Sequence, residues 1–412
     1  MNRYTGYKDS GLEWIGEIPS SWSLKRVGDY FSERRQTVDD KTFPPLSVTM
    51  NGIVDQLEDV AKTDNTDNRK LVREGDFVIN SRSDRKGSSG LSKRDGSVSV
   101  INIVLGPRQI IPTYAEYLFK SYYFKEEFFR NGKGIHWDLW STRWDQLKSI
   151  VIPVPNQNTQ TEIANYLDEK TTQIDSLIEK IERKIELLKE QRTSLINQYV
   201  TKGLDPNVEM KDSGVDWIGE IPKHWKVSRI KFALEAHNDK RIPLSAEERG
   251  DKQGPYRYFG ATSVIDHIDA YTHEGEFILI AEDGANLLLR NLRLASLVDG
   301  KFWVNNHAHV LKANDHWSNV YYCELLEQTD FTTMVTGAAQ PKLTYQNLIN
   351  IPIVVPSIAE REHIGRKVQS TDMNLDSLIN KETKRIELLK EYRQSLISNV
   401  VTGKVRVVEE VA

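Results

Sequence analysis

Several clusters of side chains in this sequence have the chemistry needed to bind nucleic acid. Lysine and arginine bind phosphate oxygens, arginine also pairs with guanine, and asparagine or glutamine pairs with adenine. Residues 69–95 hold eight Lys or Arg against four acidic residues, and the stretch is rich in Ser and Gly. The part beyond the predicted strand 75–80 is interpreted as a DNA-binding loop, with a solvated flexible loop as the alternative. The candidate residues are Arg82, Arg85, Lys86, Lys93 and Arg94.

A second basic loop follows in the first half, and the second half contains a more varied set. Lys133 and His136 are candidates for DNA contact, whereas Trp137 and Trp140 in the same loop are interpreted as packing residues. In the second half, the candidates combine amide, imidazole and cationic side chains, which suits the reading of base edges. They are Asn286, Arg290, Arg293, Asn305, Asn306, His307, Gln340 and Lys342.

The sequence does not predict a catalytic or metal site. His307 and His309 would share one face of a strand, but no cysteine or carboxylate lies at a spacing typical of a metal site. Glu282 and Asp283 precede a glycine, and we interpret them as shaping a turn at a strand end. The phosphate-binding pattern G-x-x-x-x-G-K-[ST] and the Asn/Asp-Pro-Pro-aromatic tetrapeptide of amino-methyltransferases are absent. We therefore predict a chain without catalytic residues and without a metal.

The composition limits the class of protein. A chain of 412 residues with 39% hydrophobic residues is expected to form more than one domain. Cys323 is the only cysteine, which excludes an internal disulfide and fits a reducing cytoplasm. No apolar run approaches the ~18–20 residues of a membrane span, and the first residues do not resemble a signal peptide. Because the net charge is −4, any DNA-binding surface must concentrate positive charge locally or share it with partners.

Two repeated segments show how the elements that carry these residues are organised. KDSGLEWIGEIPSSW at 8–22 returns as KDSGVDWIGEIPKHW at 211–225, with eleven of fifteen positions identical. IELLKEQRTSLI at 185–196 returns as IELLKEYRQSLI at 386–397. The shifts of 203 and 201 residues exceed the period of a solenoid repeat, which is about 20–50 residues. The chain is therefore two copies of one unit, an arrangement that suits a target with two halves.

Each copy is predicted to contain a mixed α/β region followed by a long helix. The fold class is a mixed α+β fold, in which two globular α/β domains are separated by two long helices packed as an antiparallel coiled coil, with a pseudo-twofold internal repeat. Strands are predicted at 46–54, 75–80, 97–105 and 150–154, then at 256–259, 275–281, 301–311 and 351–355, and shorter helices at 113–130 and 319–328. Trp14, Trp22, Trp217 and Trp225, in the repeated motif, are interpreted as structural anchors.

The long helices have apolar residues at heptad spacing. One helix is predicted at about 160–199, and its copy lies near the end of the chain. Arg192, Arg393 and Glu382 fall on the seam, which indicates that charges set the register or that the seam is partly open. The predicted interface residues are Ile174, Ile178, Ile181, Ile185, Leu188 and Leu195 in the first helix and Leu375, Ile379, Ile386, Leu389 and Leu396 in the second.

A pair of such helices would act as a spacer. A helix of ~40 residues is ~60 Å long, so an antiparallel pair would set the distance between the two globular domains. The alternative is that each helix lies on its own domain without contacting the other. The identical IELLKE core in both copies favours the symmetric pair.

These motifs together resemble the specificity subunit of Type I restriction–modification systems, along essentially the full chain. The resemblance lies in KDSG-x-x-WIGEIP-x-x-W at the start of each half, in GDFVIN and GEFILIAEDG, and in GAAQPKLTYQNLINIPIVVP at 337–356. It implies target recognition domains at 1–157 and 206–357, each reading one half of a bipartite asymmetric DNA site, with connector helices at 158–205 and 358–412. The first domain ends in KGIHWDLWSTRWDQLKSIVIPVP at 133–155, without the Gln-Pro-Lys of its twin. Roles of Gln340 and Lys342 therefore do not transfer to the first half.

The resemblance also implies partners. The helices would set the half-site spacing and dock two methyltransferase subunits, through which restriction subunits could join. S-adenosylmethionine is expected on the methyltransferase, ATP and magnesium on the restriction subunits, and no cofactor on this chain. The expected location is the cytoplasm of a bacterium or archaeon. A pseudo-symmetric protein-interaction scaffold that does not read DNA is the alternative function.

Overall fold

The chain divides into two compact units that interleave along the sequence. In the computed structural model, residues 3–57, 68–82, 85–134, 140–337 and 340–407 are described. Unit 1 comprises residues 1–182 and 383–412, and unit 2 comprises residues 183–382. Each unit therefore contains one globular region and part of both long helices. The long helices are Gln157–Lys202 and Ile358–Val401, of 46 and 44 residues.

The globular region of unit 1 is built on antiparallel sheets. Its four-stranded sheet has the order Ser89–Leu91, Phe77–Asn80, Asn102–Pro107 and Phe31–Glu33, and a three-stranded sheet has the order Gly96–Ser99, Arg69–Val72 and Thr37–Val38. The remaining strands are Tyr7–Asp9, Glu17–Pro19, Ser23–Arg26, Leu46–Thr49, Gly52–Asp55 and Val151–Val154, and the shorter helices are Val27–Tyr30, Pro112–Lys120, Tyr122–Arg130 and Trp144–Leu147. Valines of the two larger sheets form a buried cluster with Leu46 of the strand Leu46–Thr49.

Unit 2 has two four-stranded sheets. One has the order Glu235–Ala236, Ala308–Lys312, Phe277–Ala281 and Ala295–Val298, and the other has Val264–Ile268, Gln253–Phe259, Lys301–Val304 and His273–Glu274. The remaining strands are Met210–Asp212, Glu220–Pro222, Lys226–Arg229 and Pro352–Val355, and the shorter helices are Ile230–Ala233, Asn238–Lys240 (3-10), Ala246–Gly250, Asn286–Leu289, His316–Gln328 and Tyr345–Ile349. A large apolar core joins the first of these sheets to the helix His316–Gln328.

Several predicted elements are divided by turns. The predicted strands 46–54, 97–105 and 301–311 are each two strands, because turns at residues 50–51, 100–101 and 305–307 interrupt apolar runs. The predicted helix 113–130 is two helices separated by Ser121, whose hydroxyl accepts a hydrogen bond from the Phe124 N–H (3.3 Å). That capping bond starts a new helix. Apolar periodicity continued through these turns and so did not reveal them.

The repeated motif forms the same structure in both units. It folds as the hairpin Tyr7–Asp9 with Glu17–Pro19 in unit 1 and as Met210–Asp212 with Glu220–Pro222 in unit 2. Trp22 and Trp225 are 2% and 1% exposed, so the prediction that they are structural is confirmed. The motif's first lysine ties each hairpin to its tryptophan, because Lys8 and Lys211 donate to the Trp22 and Trp225 carbonyls at 2.6 and 2.7 Å. Trp14 and Trp217 are half-buried, against Phe124 and the unit 2 core.

Each tryptophan packs against the end of a long helix. Gly403 follows the second helix in unit 1, and a Cβ there would lie 3.3 Å from the Trp22 ring and closer still to Pro19. Gly203 follows the first helix in unit 2, and its Cβ would lie 3.2 Å from the Trp225 ring. Both glycines have positive φ, +74° and +78°, so the close approach and the left-handed backbone together require glycine.

A buried tyrosine in each unit joins the globular region to a long helix. The Tyr114 hydroxyl lies 2.8 Å from the Pro153 carbonyl and 3.5 Å from the Val401 carbonyl. In unit 2, the Tyr321 hydroxyl lies 3.2 Å from the Val354 carbonyl and 2.9 Å from the Val200 carbonyl. Burial raises the pKa of both tyrosines well above the usual value. Both hydroxyls therefore stay protonated and bind the final strand and the last helical turn.

The two long helices pack against each other in antiparallel fashion. In unit 2, Lys184 pairs with Glu382 (2.5 Å), and eight residues later Arg192 pairs with Asp372 (3.3 Å) and Asp376. The partner positions fall as the first helix advances, which defines the direction. Six predicted interface residues are buried (Ile174, Ile178, Ile181, Leu375, Ile386, Leu396), and five are half-buried (Ile185, Leu188, Leu195, Ile379, Leu389). Across the described part of the chain, no helix combines the length and apolar character needed to cross a membrane.

Candidate nucleic-acid interface

In unit 1, the two predicted DNA-binding loops meet at one short strand segment. Ser141 and Lys133 exchange two backbone hydrogen bonds (2.9 and 3.0 Å), and Arg82 forms an antiparallel bridge with the other side of Ser141. The Thr142 N–H donates to the Ser81 carbonyl at 2.9 Å. Arg82 and Lys133 thus flank the same segment, and both are exposed. Two candidates that lie 51 residues apart in sequence therefore belong to one surface.

Unit 2 repeats this backbone arrangement with different side chains. Lys342 and Thr336 exchange two backbone hydrogen bonds (2.8 and 2.9 Å), and Asp283 forms the antiparallel bridge on the other side of Lys342. The Leu343 N–H donates to the Glu282 carbonyl at 2.7 Å. Lys342 therefore occupies the position that Ser141 has in unit 1, and Asp283 occupies that of Arg82. The Gln-Pro-Lys segment of the second half is therefore equivalent in position to a segment of different composition in the first half.

The other basic candidates of unit 1 lie on exposed turns. Lys86 pairs with Glu126 (2.8 Å) and lies over the Phe129 ring, and Arg94 pairs with Asp55 (2.6 Å). Exposed ion pairs of this kind contribute about 0–1 kcal/mol, so exchange of either carboxylate for a phosphate costs little. Arg85 and Lys93 are also exposed.

Part of the second predicted loop of unit 1 lies outside the described residues. His136 and Trp137 fall in this part, so their predicted roles stay predictions. Trp140 is half-buried, and its indole N–H donates to the Phe129 carbonyl at 2.8 Å. The interpretation of Trp140 as a packing residue is confirmed.

Three candidates of unit 2 are used to hold their own loop. The Asn286 amide both donates to and accepts from the Leu292 backbone at 2.9 Å. Arg290, with φ of 55°, donates to the Glu327 carbonyl, and Arg293 pairs with Glu324 at 2.5 Å. The contacts of Arg290 and Arg293 exist because the helix His316–Gln328 places Glu324 and Glu327 beside the loop. Asn286, Arg290 and Arg293 therefore hold the loop, and their predicted DNA contacts stay a prediction, since the Arg293 side chain is still 48% exposed.

The remaining candidates of unit 2 lie on the turn 305–307 and on the segment 340–342. Asn305 is 4% exposed, and its side-chain oxygen accepts the His307 N–H at 2.8 Å, so it shapes the turn. Asn306 and Gln340 are exposed. His307 lies beside Asp283, with Nδ1 2.8 Å from a carboxylate oxygen. The turn therefore presents an amide and an imidazole next to Lys342.

The two histidines do not form a pair. His307 precedes the strand Ala308–Lys312, whereas His309 lies within it and is fully buried, with Nε2 2.8 Å from the Leu343 carbonyl. The prediction that both share one strand face is therefore wrong, because the strand begins one residue too late. Within the described ranges, no group of three or more His, Cys, Asp or Glu side chains is arranged to hold a metal ion.

Glu282 holds two cations at this site. Its side chain is 10% exposed, with Arg241 at 2.5 Å and Lys342 at 3.0 Å. Burial alone would raise the pKa of Glu282, but the hydrogen bonds from Arg241 and Lys342 and the nearby His309 outweigh it and lower the pKa. Glu282 is therefore an ionised anchor for Lys342 as well as a turn residue. Arg241 was missed by sequence reasoning, because nothing near it in sequence indicates its partner.

Comparisons with known proteins also point to DNA specificity subunits. Residues 222–388 match the family model described as the Type I restriction modification DNA specificity domain. The chain is 37% identical over 127 residues to a putative type I restriction enzyme specificity subunit, S.HindORF215P of Haemophilus influenzae, a match that spans 31% of this chain and 32% of that protein. It is 24% identical over 435 residues to the Type I restriction enzyme MjaVIII specificity subunit of Methanocaldococcus jannaschii, which covers 95% of this chain and 94% of that protein.

Solved structures share the fold. A chain from a study of complex assembly and conformational transition of the type I R-M system aligns with a TM-score of 0.64 and 14% identity, over 94% of this chain and 99% of that one. The HsdS subunit from Thermoanaerobacter tengcongensis aligns with a TM-score of 0.51 and 14% identity, over 96% and 100%.

The two candidate surfaces, which share a duplicated backbone frame and differ in their side chains, fit a class of protein that recognises DNA sequence. Residues 222–388 match the DNA specificity domain of Type I restriction–modification systems, and over 95% of its length the chain is similar to type I restriction enzyme specificity subunits, which supports a role in DNA sequence specificity.

Proposed function

We propose that each unit reads one half of a bipartite asymmetric DNA site. The observation that carries this proposal is the shared backbone frame with different side chains. Arg82, Ser141 and Lys133 occupy in unit 1 the positions that Asp283, Lys342 and Thr336 occupy in unit 2. One frame with two chemically different faces suits the reading of two different half-sites.

The two faces would bind DNA by different chemistry. Unit 1 offers exposed cations at Arg82, Arg85, Lys93 and Lys133, which suit phosphates and guanine edges. Unit 2 offers side chains that suit base edges, with a lysine for a phosphate or guanine. These are Asn306, His307, Gln340 and Lys342. Because the net charge of the chain is −4, affinity would depend on this local placement and on partner subunits.

The long helices would dock two methyltransferase subunits and set the distance between half-sites. Their outer faces expose apolar side chains, including Leu187 at 48% and Leu388 at 53%. These leucines are the same position of the repeated IELLKE core, one in each unit. Equivalent exposed leucines support two equivalent docking sites. The methyltransferase would supply S-adenosylmethionine, and restriction subunits joined through it would bring ATP and magnesium.

Methylation mapping with the complete system tests the proposal. Methylated bases are mapped in DNA from cells that carry this chain and its methyltransferase, and we expect one motif with two defined parts and a constant gap. Insertion of one helical turn in each long helix should lengthen the gap and leave both parts unchanged. A methyltransferase that modifies DNA equally well without this chain would favour the scaffold alternative instead.

A further inference from the structure

His307 presents one ring nitrogen to a carboxylate and leaves the other available. Nδ1 lies 2.8 and 3.0 Å from the two carboxylate oxygens of Asp283. Nε2 makes no hydrogen bond with any residue in the described part of the chain. The His307 side chain is 44% exposed and that of Asp283 is 14% exposed, so the carboxylate is shielded beside a ring that reaches the surface.

The carboxylate determines which nitrogen carries the proton. An ionised carboxylate only accepts hydrogen bonds, so Nδ1 must donate to Asp283. In the neutral ring, Nε2 then has a lone pair and acts as an acceptor. An acceptor at this position differs from the lysine and arginine candidates, whose side chains only donate.

The contact is not needed to build the turn. The His307 N–H donates to the side-chain oxygen of Asn305 (2.8 Å), and its carbonyl accepts the Glu282 N–H (2.9 Å). These bonds fix the backbone on both sides of the ring. The bond to Asp283 therefore orients a side chain on a turn that is already held.

We propose that His307, through Nε2, reads the exocyclic amino group of an adenine or cytosine in the half-site bound by unit 2. Asp283 is the positioning residue that sets the tautomer. In the major groove, the N6 amino group of adenine and the N4 amino group of cytosine are the base-edge donors. The inference rests on the proposed function, since it requires that unit 2 binds DNA. The equivalent of Asp283 in unit 1 is Arg82, so unit 1 has a hydrogen-bond donor where unit 2 has the carboxylate that would orient His307.

A chemical substitution in the DNA tests the contact directly. The full chain is assembled with its methyltransferase, and the motif is determined for the wild type and for His307→Ala. We expect adenine or cytosine at one position of one half-site to become degenerate in the variant. A duplex is then made in which that base lacks its amino group, with purine for adenine or 2-pyrimidinone for cytosine. This change should weaken wild-type binding about tenfold, as loss of one hydrogen bond does, and should leave His307→Ala unaffected.

Asp283→Asn tests the tautomer without removing the ring. The asparagine amide can donate to Nδ1, which moves the ring proton to Nε2 and converts it to a donor. We expect the preference at the same position to shift from adenine or cytosine toward guanine or thymine, which present O6 or O4 as acceptors in the major groove. His267→Ala is the matched control, because His267 is an exposed histidine of unit 2 outside this turn, and its motif should equal that of the wild type.

The outcomes distinguish the proposed function of the chain from the role of His307. If the wild type shows no bipartite motif, the proposed function itself fails. If the wild type shows such a motif and His307→Ala retains it with full discrimination against the amino-lacking base, only the role of His307 is overturned. A wild-type preference for guanine or thymine at the relaxed position would likewise refute the acceptor. Unchanged recognition of the other half-site in each variant shows that the protein is folded.

Discussion

Arg393 and Asp175 form an ion pair across the two long helices in unit 1, with Nε 2.9 Å from Oδ1. In unit 2 the pair is formed by Arg192 and Asp376, each 201 residues along the chain from its counterpart. The two repeats therefore share an equivalent ion pair between the long helices, in addition to the similar fold of their globular regions. In each unit, one partner comes from the first repeat and the other from the second.

Because each ion pair takes one residue from each repeat, we predict that one repeat can assemble with a second copy of itself. In a dimer of the fragment 206–412, Arg393 would meet Asp376 of the other copy, because Asp376 is the equivalent of Asp175. We expect sedimentation of this fragment to show a dimer. Arg393→Glu should raise the dimer dissociation constant about tenfold, since two pairs are lost and each contributes about 0.5–1 kcal/mol.

The reversed pair supplies the control for that experiment. Arg393→Glu combined with Asp376→Arg should restore the wild-type dissociation constant, because attraction is re-established in both pairs. A fragment that sediments as a folded monomer at all concentrations would show that the contacts between repeats require the continuous chain.

The effect of a substitution in the second long helix should depend on whether the side chain is buried against the first long helix. Leu375 is 7% exposed, whereas Leu378, one turn further along the same helix, is 45% exposed. Leu375→Ala should lower the free energy of unfolding by about 2–4 kcal/mol, because it leaves a cavity in the seam. Leu378→Ala is the matched control and should change it by less than about 0.5 kcal/mol. Urea denaturation of the full chain measures both, and equal losses would contradict the assigned seam.

Glu360 should make stability depend on acid pH. Burial alone would raise the pKa of Glu360, but hydrogen bonds from His224, Trp225 and Ser357 lower it to about 2 from the usual 4.5. Because the folded-state pKa is the lower one, the stabilisation is complete above about pH 4.5 and is lost as the pH falls toward 2.

Replacement of Glu360 by glutamine measures that contribution. The side chain is 33% exposed, so solvent screening limits the loss at pH 7 to about 1–2 kcal/mol of unfolding free energy. The difference between wild type and Glu360→Gln should shrink between pH 4.5 and 2. Glu362→Gln, which changes an exposed pair with Arg366 on the same helix, should have little effect at any pH. A constant difference across this range would refute the assignment.

The first half-site should depend on the basic surface of unit 1. Arg82→Ala together with Arg85→Ala should weaken recognition of one half-site about tenfold and leave the other unchanged. If both arginines contact phosphates, the slope of log affinity against log salt should fall by up to about 2. Binding to duplexes with one half-site randomised measures this, and Arg366→Ala, an exposed arginine on the second long helix, is the control. Equal loss at both half-sites would contradict the division of labour.

Sequence reasoning predicted the features that depend on local periodicity. The long helix expected at 160–199 runs from Gln157 to Lys202, because heptad spacing is a property of neighbouring residues. The buried tryptophans Trp22 and Trp225 were predicted for a similar reason, since the repeated motif marks a structure used twice. Turns inside the apolar runs were missed, because a short turn changes the direction of the chain without changing its hydrophobicity.

The sequence by itself determined the duplication, the paired helices and the family resemblance, since these depend on repeats and spacing that can be counted along the chain. Only the tertiary structure decided which polar groups remain exposed. Asn305 and Asn306 looked equivalent as candidates, yet Asn305 is 4% exposed and its side-chain oxygen accepts the His307 N–H, whereas Asn306 is exposed. The reason is that a polar side chain is committed or available according to the burial and the partner that folding gives it, and neither follows from the residue type.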